Sequence, residues 1–171
     1  LNLQELYLPG FGTKERTSRL TVSDCPKLHY VEVNYIKSLT SLEFKNLPLL
    51  GGVSIDAPKL KKLDLSPFSK LKAITIESNK MTELKLPKKA PINNLDVIGT
   101  KVKSIDVRNY KKMKYCDIQM PKLKKINLTK NKKIEELQIS DCNQLKKLDL
   151  SKNAKIKELR LNGNGNLTTV K

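Results

Sequence analysis

The chain contains few of the residues from which most active sites, metal sites and disulfide frameworks are built. Its 171 residues include no tryptophan, one histidine, three cysteines, five tyrosines and three phenylalanines. The single histidine, His29, and the widely spaced cysteines form neither a metal-ligand cluster nor a nucleophile paired with a base. No apolar run is long enough to span a bilayer. We therefore expect no enzymatic activity, no metal, no cofactor and no membrane insertion.

In place of such motifs the chain has a short repeated pattern. A six-residue unit with apolar residues at its first, fourth and sixth places recurs every 10 or 11 residues. All 41 of these places in 14 units are apolar, although only 38% of the chain is hydrophobic. The units begin at Leu28, Leu39, Leu50, Leu60, Leu71, Met81, Ile92, Val102, Met113, Leu123, Ile134, Leu145, Ile156 and Leu167.

Each unit reads as a short strand rather than as the start of a helix. The fourth and sixth places share one side of an extended backbone, because side chains alternate with a period of two. An amphipathic helix would stay apolar at i+7 and i+8, but Lys130 and Asn131 occupy those places after Leu123. Only residues 66–70 separate one unit from the next after Leu65, which leaves room for a bend. The pattern predicts short parallel strands that are buried on one face.

Alternate units give the length of one turn. Every second unit from Leu28 begins 21 or 22 residues after the last, so one turn carries two strands, one on each broad side. We call the units that begin at Leu28, Leu50, Leu71, Ile92, Met113, Ile134 and Ile156 the first series, and the others the second series. A period of this length is typical of leucine-rich repeats. One turn cannot bury its own apolar side, so stacked turns must stabilise one another.

The repeats also resemble a known family. Leu71 to Asn79 and Ile156 to Asn164 both read L-x-x-L-x-L-x-x-N, and so does Leu145 to Asn153 in the second series. Over residues 17–171 the chain resembles the 21-residue leucine-rich repeats of bacterial cell-surface proteins, including internalin-like adhesins. The resemblance implies a mostly β, right-handed solenoid with little or no helix. It also implies a non-enzymatic protein-recognition or adhesion module that is secreted or held at the cell surface.

The ninth place of each repeat departs from the family pattern. In such repeats an Asn at this place points inward and bonds backbone groups of the bend. Only two of the seven first-series ninth places are Asn, so we expect uneven bends. Cys25 and Cys142 take this place in the matching segments Ser-Asp-Cys, and Cys116 takes a core place. We predict three buried free thiols, since a metal site or reactive thiol would need closer Cys and His partners.

One domain accounts for the whole chain, residues 1–171. We divide it into an irregular N-terminal repeat, residues 1–27, and regular repeats over 28–171. Leu3 to Leu8 looks like one more first-series unit, and the loop from Pro9 to Arg16 is the least repeat-like segment. Because the last unit stops before its sixth place, we expect the chain to be a fragment of a longer protein.

The acidic residues concentrate on one predicted sheet. The formal net charge is +17, yet the outward third, fifth and seventh places of the first-series strands carry seven acids and one base. By resemblance this sheet is the concave one, on which such proteins bind partners. The candidate partner-binding residues are Tyr30, Glu32, Asp56, Glu77, Asp96, Tyr115, Asp117, Glu136 and Glu158.

The lysines gather at the bends, and their role stays open at this stage. They are either solubilising residues or a rim for an anionic glycan or cell-wall polymer. Nucleic acid is disfavoured, because few aromatics lie beside the lysines and no helix is available for a major groove. A purely structural spacer is a further alternative. The candidate anion-binding rim is Lys111, Lys112, Lys114, Lys130, Lys132 and Lys133.

Overall fold

The computed structural model describes residues 2–10 and 16–171, and in this part of the chain it contains 14 β-strands and no helix. The first-series strands are β1 (Glu5–Pro9), β3 (Tyr30–Asn34), β5 (Gly52–Asp56), β7 (Ala73–Glu77), β9 (Asn94–Ile98), β10 (Tyr115–Gln119), β11 (Glu136–Ser140) and β13 (Glu158–Arg160). The second-series strands are β2 (Arg19–Ser23), β4 (Ser41–Lys45), β6 (Lys62–Asp64), β8 (Glu83–Lys85), β12 (Lys147–Leu148) and β14 (Thr169–Val170).

The first-series strands form one parallel sheet, which we call the long sheet. Its order is β1-β3-β5-β7-β9-β10-β11-β13, so each strand pairs with the equivalent strand of the next turn. The pairing keeps equal places opposite each other: Asp96 lies between Thr75 on one side and Asp117 on the other. This register confirms the period of 21 to 22 residues and the leucine-rich-repeat solenoid.

The second series is less regular than the sequence predicted. It forms three separate two-stranded sheets, β2-β4, β6-β8 and β12-β14. The units that begin at Val102 and Leu123 form no strand, so the prediction of two strands in every turn is wrong for those turns. There the side chains of Asp106 and Asn127 accept hydrogen bonds from the backbone N–H groups of Arg108 and Thr129. The same kind of turn follows β6, so it does not by itself account for the missing strands.

The core is a continuous stack of the unit side chains. Leu28, Leu50, Leu71 and Ile92 are fully buried, as are the fourth and sixth places over most of the long sheet. The last turn is more open, with Leu159 42% and Val170 47% exposed. The stacked arrangement predicted from the six-residue units is confirmed, and it is most open at the last turn.

Asparagine side chains support the bends, although mainly in the second series. Asn131 Nδ2 donates to the carbonyl oxygens of Val107 (2.8 Å) and Tyr110 (3.0 Å). Asn153 repeats the arrangement one turn later. In the first series Asn164 bonds the backbone in the same manner, but Asn79 is exposed. Asn79 therefore does not take the inward place that the family pattern implies.

The three cysteines are free and buried, as predicted. The Cys142 sulfur accepts a hydrogen bond from the Met120 N–H at 3.5 Å and donates to the Ile118 carbonyl at 3.6 Å. It thereby replaces the Asn of other repeats. Cys116 is completely buried, and this burial raises the pKa of its thiol.

The N-terminal repeat is described in part. Strand β1 pairs with β3, which confirms the reading of residues 3–8 as a first-series unit. Residues 11–15 of the loop predicted as a local elaboration lie outside the described residues. The division at residue 27 and the expectation of a longer chain stay predictions.

Candidate recognition surface

The outward side chains of the long sheet form three rows: the third- and fifth-place rows have one residue from each strand, and the seventh-place row, which includes Asp56 and Glu77, ends at Ser140. Neighbouring strands of a sheet lie about 4.8 Å apart, so side chains of one row contact their neighbours. The third-place row is Glu5, Tyr30, Gly52, Ala73, Asn94, Tyr115, Glu136 and Glu158. The fifth-place row is Tyr7, Glu32, Ser54, Thr75, Asp96, Asp117, Gln138 and Arg160.

At the centre of the fifth-place row two carboxylates are crowded together. Asp117 is only 8% exposed and Asp96 is half-buried. Thr75 Oγ1 donates a hydrogen bond to Asp96 Oδ2 at 3.2 Å. In the described part of the chain the Oδ1 atoms of both aspartates are buried and have no hydrogen-bond partner. The pair thus carries acidic charge that neither water nor protein donors fully stabilise.

This environment shifts both acids in the same direction. Burial raises the pKa of Asp96 to about 6; the hydrogen bond from Thr75 opposes the rise and the charge of Asp117 adds to it. Burial also raises the pKa of Asp117, against the attraction of Arg160. Both side chains are largely covered and offer little surface for direct contact.

The exposed acids of the surface lie around this pair. Glu77 and Glu136 are exposed and form no ion pair with other described residues. Glu158 pairs with Arg160. Glu32 is half-buried and accepts a hydrogen bond from Tyr30 Oη at 3.3 Å. The sequence prediction treated all of these acids alike, whereas Glu77 and Glu136 are the ones directly open to a partner.

The tyrosines fall into two places. Tyr30 packs against Tyr7, with 5.7 Å between the ring centroids, and Tyr7 is 54% exposed. Tyr115 lies four strands from Tyr30 in the same row, roughly 19 Å away at the usual strand spacing. Sequence reasoning omitted Tyr7, although the unit at Leu3 would have placed it beside the Tyr30 strand.

A cleft beside Tyr30 was also missed from the sequence. Its volume is about 530 Å³, and we call it the glycine cup because Gly51 and Gly52 lie in its floor. The sequence signal was two adjacent glycines at the second and third places of one unit. The full lining is Glu5, His29, Tyr30, Leu49, Gly51, Gly52, Lys70, Lys72, Ala73 and Pro91.

The lysines of the predicted rim are all exposed. Lys111, Lys112 and Lys114 precede β10, and Lys130, Lys132 and Lys133 precede β11 one turn later, so the two groups share one edge of the stack. Lys114 lies 3.5 Å from Glu135, which also pairs with Lys157 at 2.7 Å. The hydrogen bond from Lys157 and the two lysine charges lower the pKa of Glu135.

Two further kinds of site are absent from residues 2–10 and 16–171. In that range His, Cys, Asp and Glu side chains form no group of three or more that could hold a metal ion. The same range contains no helix with the length and apolar character to cross a membrane.

The fold has a counterpart among solved structures. No protein-family model matches the sequence, and no curated protein matches it either. The functional domain of InlJ from Listeria monocytogenes, which includes a cysteine ladder, superposes with a TM-score of 0.72 and 19% sequence identity. The match covers 88% of this chain, which spans about a third (33%) of that protein. InlJ is an internalin with leucine-rich repeats, so the likeness confirms the solenoid fold.

Proposed function

We propose that this chain is a non-enzymatic recognition module that binds a protein partner across the long sheet. The observation that carries the proposal is the separation of charge: the chain is +17 overall, yet the outward places of the long sheet, β1 included, carry eight acids and one base. A random distribution of 34 basic and 17 acidic residues would leave this sheet basic as well. An acidic face on a basic protein suits a partner with complementary charge.

The shape of the surface supports the same function. Eight parallel strands present three open rows of side chains, with Glu77 and Glu136 exposed and the Tyr7–Tyr30 pair at one end. Tyrosines often serve as anchors in protein interfaces. The likeness to an internalin domain also favours protein binding, and it favours a secreted or cell-surface location for the whole protein.

The test is a binding screen against extracellular proteins, followed by measurement of how charge reversals on this chain change the affinity for the captured partner. We expect Glu77→Lys with Glu136→Lys to weaken binding at least about tenfold, since like charges would then face each other. The matched control is Glu43→Lys with Glu83→Lys, which makes the same charge change on exposed second-series strands. Equal affinity of both double variants for the partner would refute binding through the long sheet.

A second candidate function is binding of an anionic glycan or cell-wall polymer by the exposed lysine rim. Replacement of Lys111, Lys112, Lys132 and Lys133 by Gln should then lower the salt concentration that elutes the protein from heparin. The control replaces the same number of lysines on the other margin: Lys124, Lys125, Lys146 and Lys147. Identical elution of the two variants would mean that net charge alone binds the heparin. If neither the screen nor the column gave binding, a spacer role would be favoured.

A further inference from the structure

The glycines of the cup are not required by the backbone. Positive φ values occur at Gly99 and Gly163, whereas Gly51 and Gly52 are outside that region. Glycine in a strand generally weakens the strand, and it often marks a place where another group approaches closely. Two adjacent glycines at the start of β5 therefore call for a reason other than conformation.

Gly52 makes room for the ring of Tyr30. A Cβ atom at Gly52 would lie 2.9 Å from Tyr30 Cδ2 and 3.4 Å from Cε2. The ring therefore lies over the backbone of β5 and forms one wall of the cup. Its own position is supported on the other side by Tyr7.

Gly51 leaves the floor open. A Cβ atom there would meet nothing closer than the His29 carbonyl oxygen, at 3.5 Å. The polar atoms of the floor are already occupied: both glycine N–H groups donate to that oxygen, at 2.8 and 3.0 Å, and the Gly51 carbonyl accepts from the Lys72 N–H at 2.7 Å. The floor can therefore bind a ligand through complementary shape and apolar contact, and not through hydrogen bonds.

The walls and rim show what chemistry fits. Leu49, which is 49% exposed, adds apolar surface to the ring of Tyr30. Lys70 and Lys72 are exposed at the rim, and neither forms an ion pair within the described part of the chain. At the opposite side Glu5 already lies 3.3 Å from His29 Nε2. Two lysine charges against one carboxylate leave this rim net positive.

We propose that the glycine cup receives an aromatic side chain of the protein partner, with an adjacent carboxylate of that partner on Lys70 and Lys72. This inference rests on the proposed function and names the chemistry of the partner at one end of the long sheet. A pocket that buries an aromatic anchor is the usual form of an interface hot spot. A sugar ring fits less well, because its hydroxyl groups would find no free backbone partners in the floor.

The proposal can be tested without the natural partner. Three peptides are titrated at millimolar concentration into the labelled protein, and amide chemical shifts are followed: acetyl-Asp-Phe-Asp-amide, acetyl-Lys-Phe-Lys-amide and acetyl-Asp-Ala-Asp-amide. We expect the first peptide to shift the amides of Gly51, Gly52 and Lys72. The other two peptides should bind at least about tenfold more weakly. No shifts at these amides with the first peptide, or equal shifts with all three, would overturn the proposal.

Matched variants separate the cup from nonspecific effects. Gly51→Leu fills the floor, while Gly165→Leu makes the same change where nothing lies within 4 Å. Only the first variant should abolish the peptide shifts, and amides outside the cup should keep their positions in both. Lys70→Gln with Lys72→Gln should remove the preference for the acidic peptide over the basic one. Persistent binding by Gly51→Leu would overturn the proposal.

Two further outcomes distinguish this inference from its alternatives. Chemical shifts at the cup with glucuronate, but none with the acidic phenylalanine peptide, would mean that the cup binds an acidic sugar and not an aromatic side chain. Peptide binding at the cup together with a partner that ignores Glu77→Lys and Glu136→Lys would support the cup and refute the wider interface. The two proposals therefore fail separately.

Discussion

Asp96 and Asp117 lie directly opposite each other on neighbouring strands of the long sheet, and each has a buried carboxylate oxygen that accepts no hydrogen bond from the described residues. Two like charges in this position repel each other and are poorly solvated. The rest of the sheet must supply the stability that holds them together. This relationship has consequences for stability as well as for binding.

The first prediction concerns pH. The pKa of Asp96 is raised from 3.8 to about 6 in the folded protein, so the folded state holds a proton more tightly than the unfolded state. Its contribution to stability is therefore largest below about pH 4 and is lost as pH rises to about 6. With allowance for solvent screening, Asp96→Asn should stabilise the protein at pH 7 by about 1 kcal/mol.

Urea unfolding at several pH values measures this effect. The difference between Asp96→Asn and the unmodified protein should be small at pH 4 and grow towards pH 7. Acids far from Asp96 titrate in both proteins and cancel in the difference, whereas the repulsion relieved at Asp117 adds to it. As a control, Glu77→Gln removes an exposed acid of the adjacent strand β7 and should stabilise the protein at pH 7 less than Asp96→Asn does. A difference for Asp96→Asn that does not change with pH would contradict the raised pKa.

The second prediction concerns a bend of the first series. Gly99 has a φ of +69°, and a Cβ atom there would lie 2.8 Å from Asn79 Oδ1. Gly99→Ala should therefore lower the free energy of unfolding by about 1 to 2 kcal/mol. Gly165→Ala is the matched control, because its Cβ atom meets nothing within 4 Å. Thermal unfolding that ranks both variants equally would argue against this backbone conformation at Gly99.

The third prediction concerns the inward asparagines. Asn131→Ala leaves the carbonyl oxygens of Val107 and Tyr110 without their donor in a buried place. Such a loss should destabilise the protein by about 2 to 3 kcal/mol. Asn109→Ala, on the surface, should change stability by less than about 0.5 kcal/mol.

Hydrogen exchange can localise the same effect. Because each turn of a solenoid contacts mainly its neighbours, faster exchange in Asn131→Ala should be confined to the adjoining turns. A uniform increase along the whole chain would instead indicate one cooperative unit.

The fourth prediction concerns the thiols. Cys116 and Cys142 are completely buried, and burial raises the pKa of both. The native protein should therefore react with a thiol reagent at these positions only as fast as it opens or unfolds. Mass spectrometry after brief labelling at neutral pH measures the reaction. Rapid labelling of Cys116 in the native state would contradict its place in the core.

Much of the fold followed from the sequence, because buried places in stacked strands allow little freedom. The unit at Leu71 already placed a strand over 73–77, where β7 lies. The failures occurred in the second series, at the units that begin at Val102 and Leu123. Asp106 bonds the backbone two residues ahead where no strand forms, but Asp64 makes the same bond at the end of β6. The repeated pattern marks apolar places and does not register whether the backbones of neighbouring turns pair.

The sequence predicted which residues lie on the candidate surface, but not how deeply each of them is buried. The acids of the long sheet do lie in outward rows, yet the register of neighbouring strands covers Asp117 and leaves Glu136 open. The glycine cup was missed because glycine contributes no side chain to a residue inventory. Its volume depends on where the ring of Tyr30 lies, and only the structure gives that.

The most direct test of recognition by the long sheet is a chemical-shift map of the protein bound to a captured partner. We expect the largest shifts at outward residues of the long sheet, with Tyr30, Glu77 and Glu136 among them. Shifts confined to the lysine rim, or to the exposed strands β4 and β8 of the second series, would contradict the account.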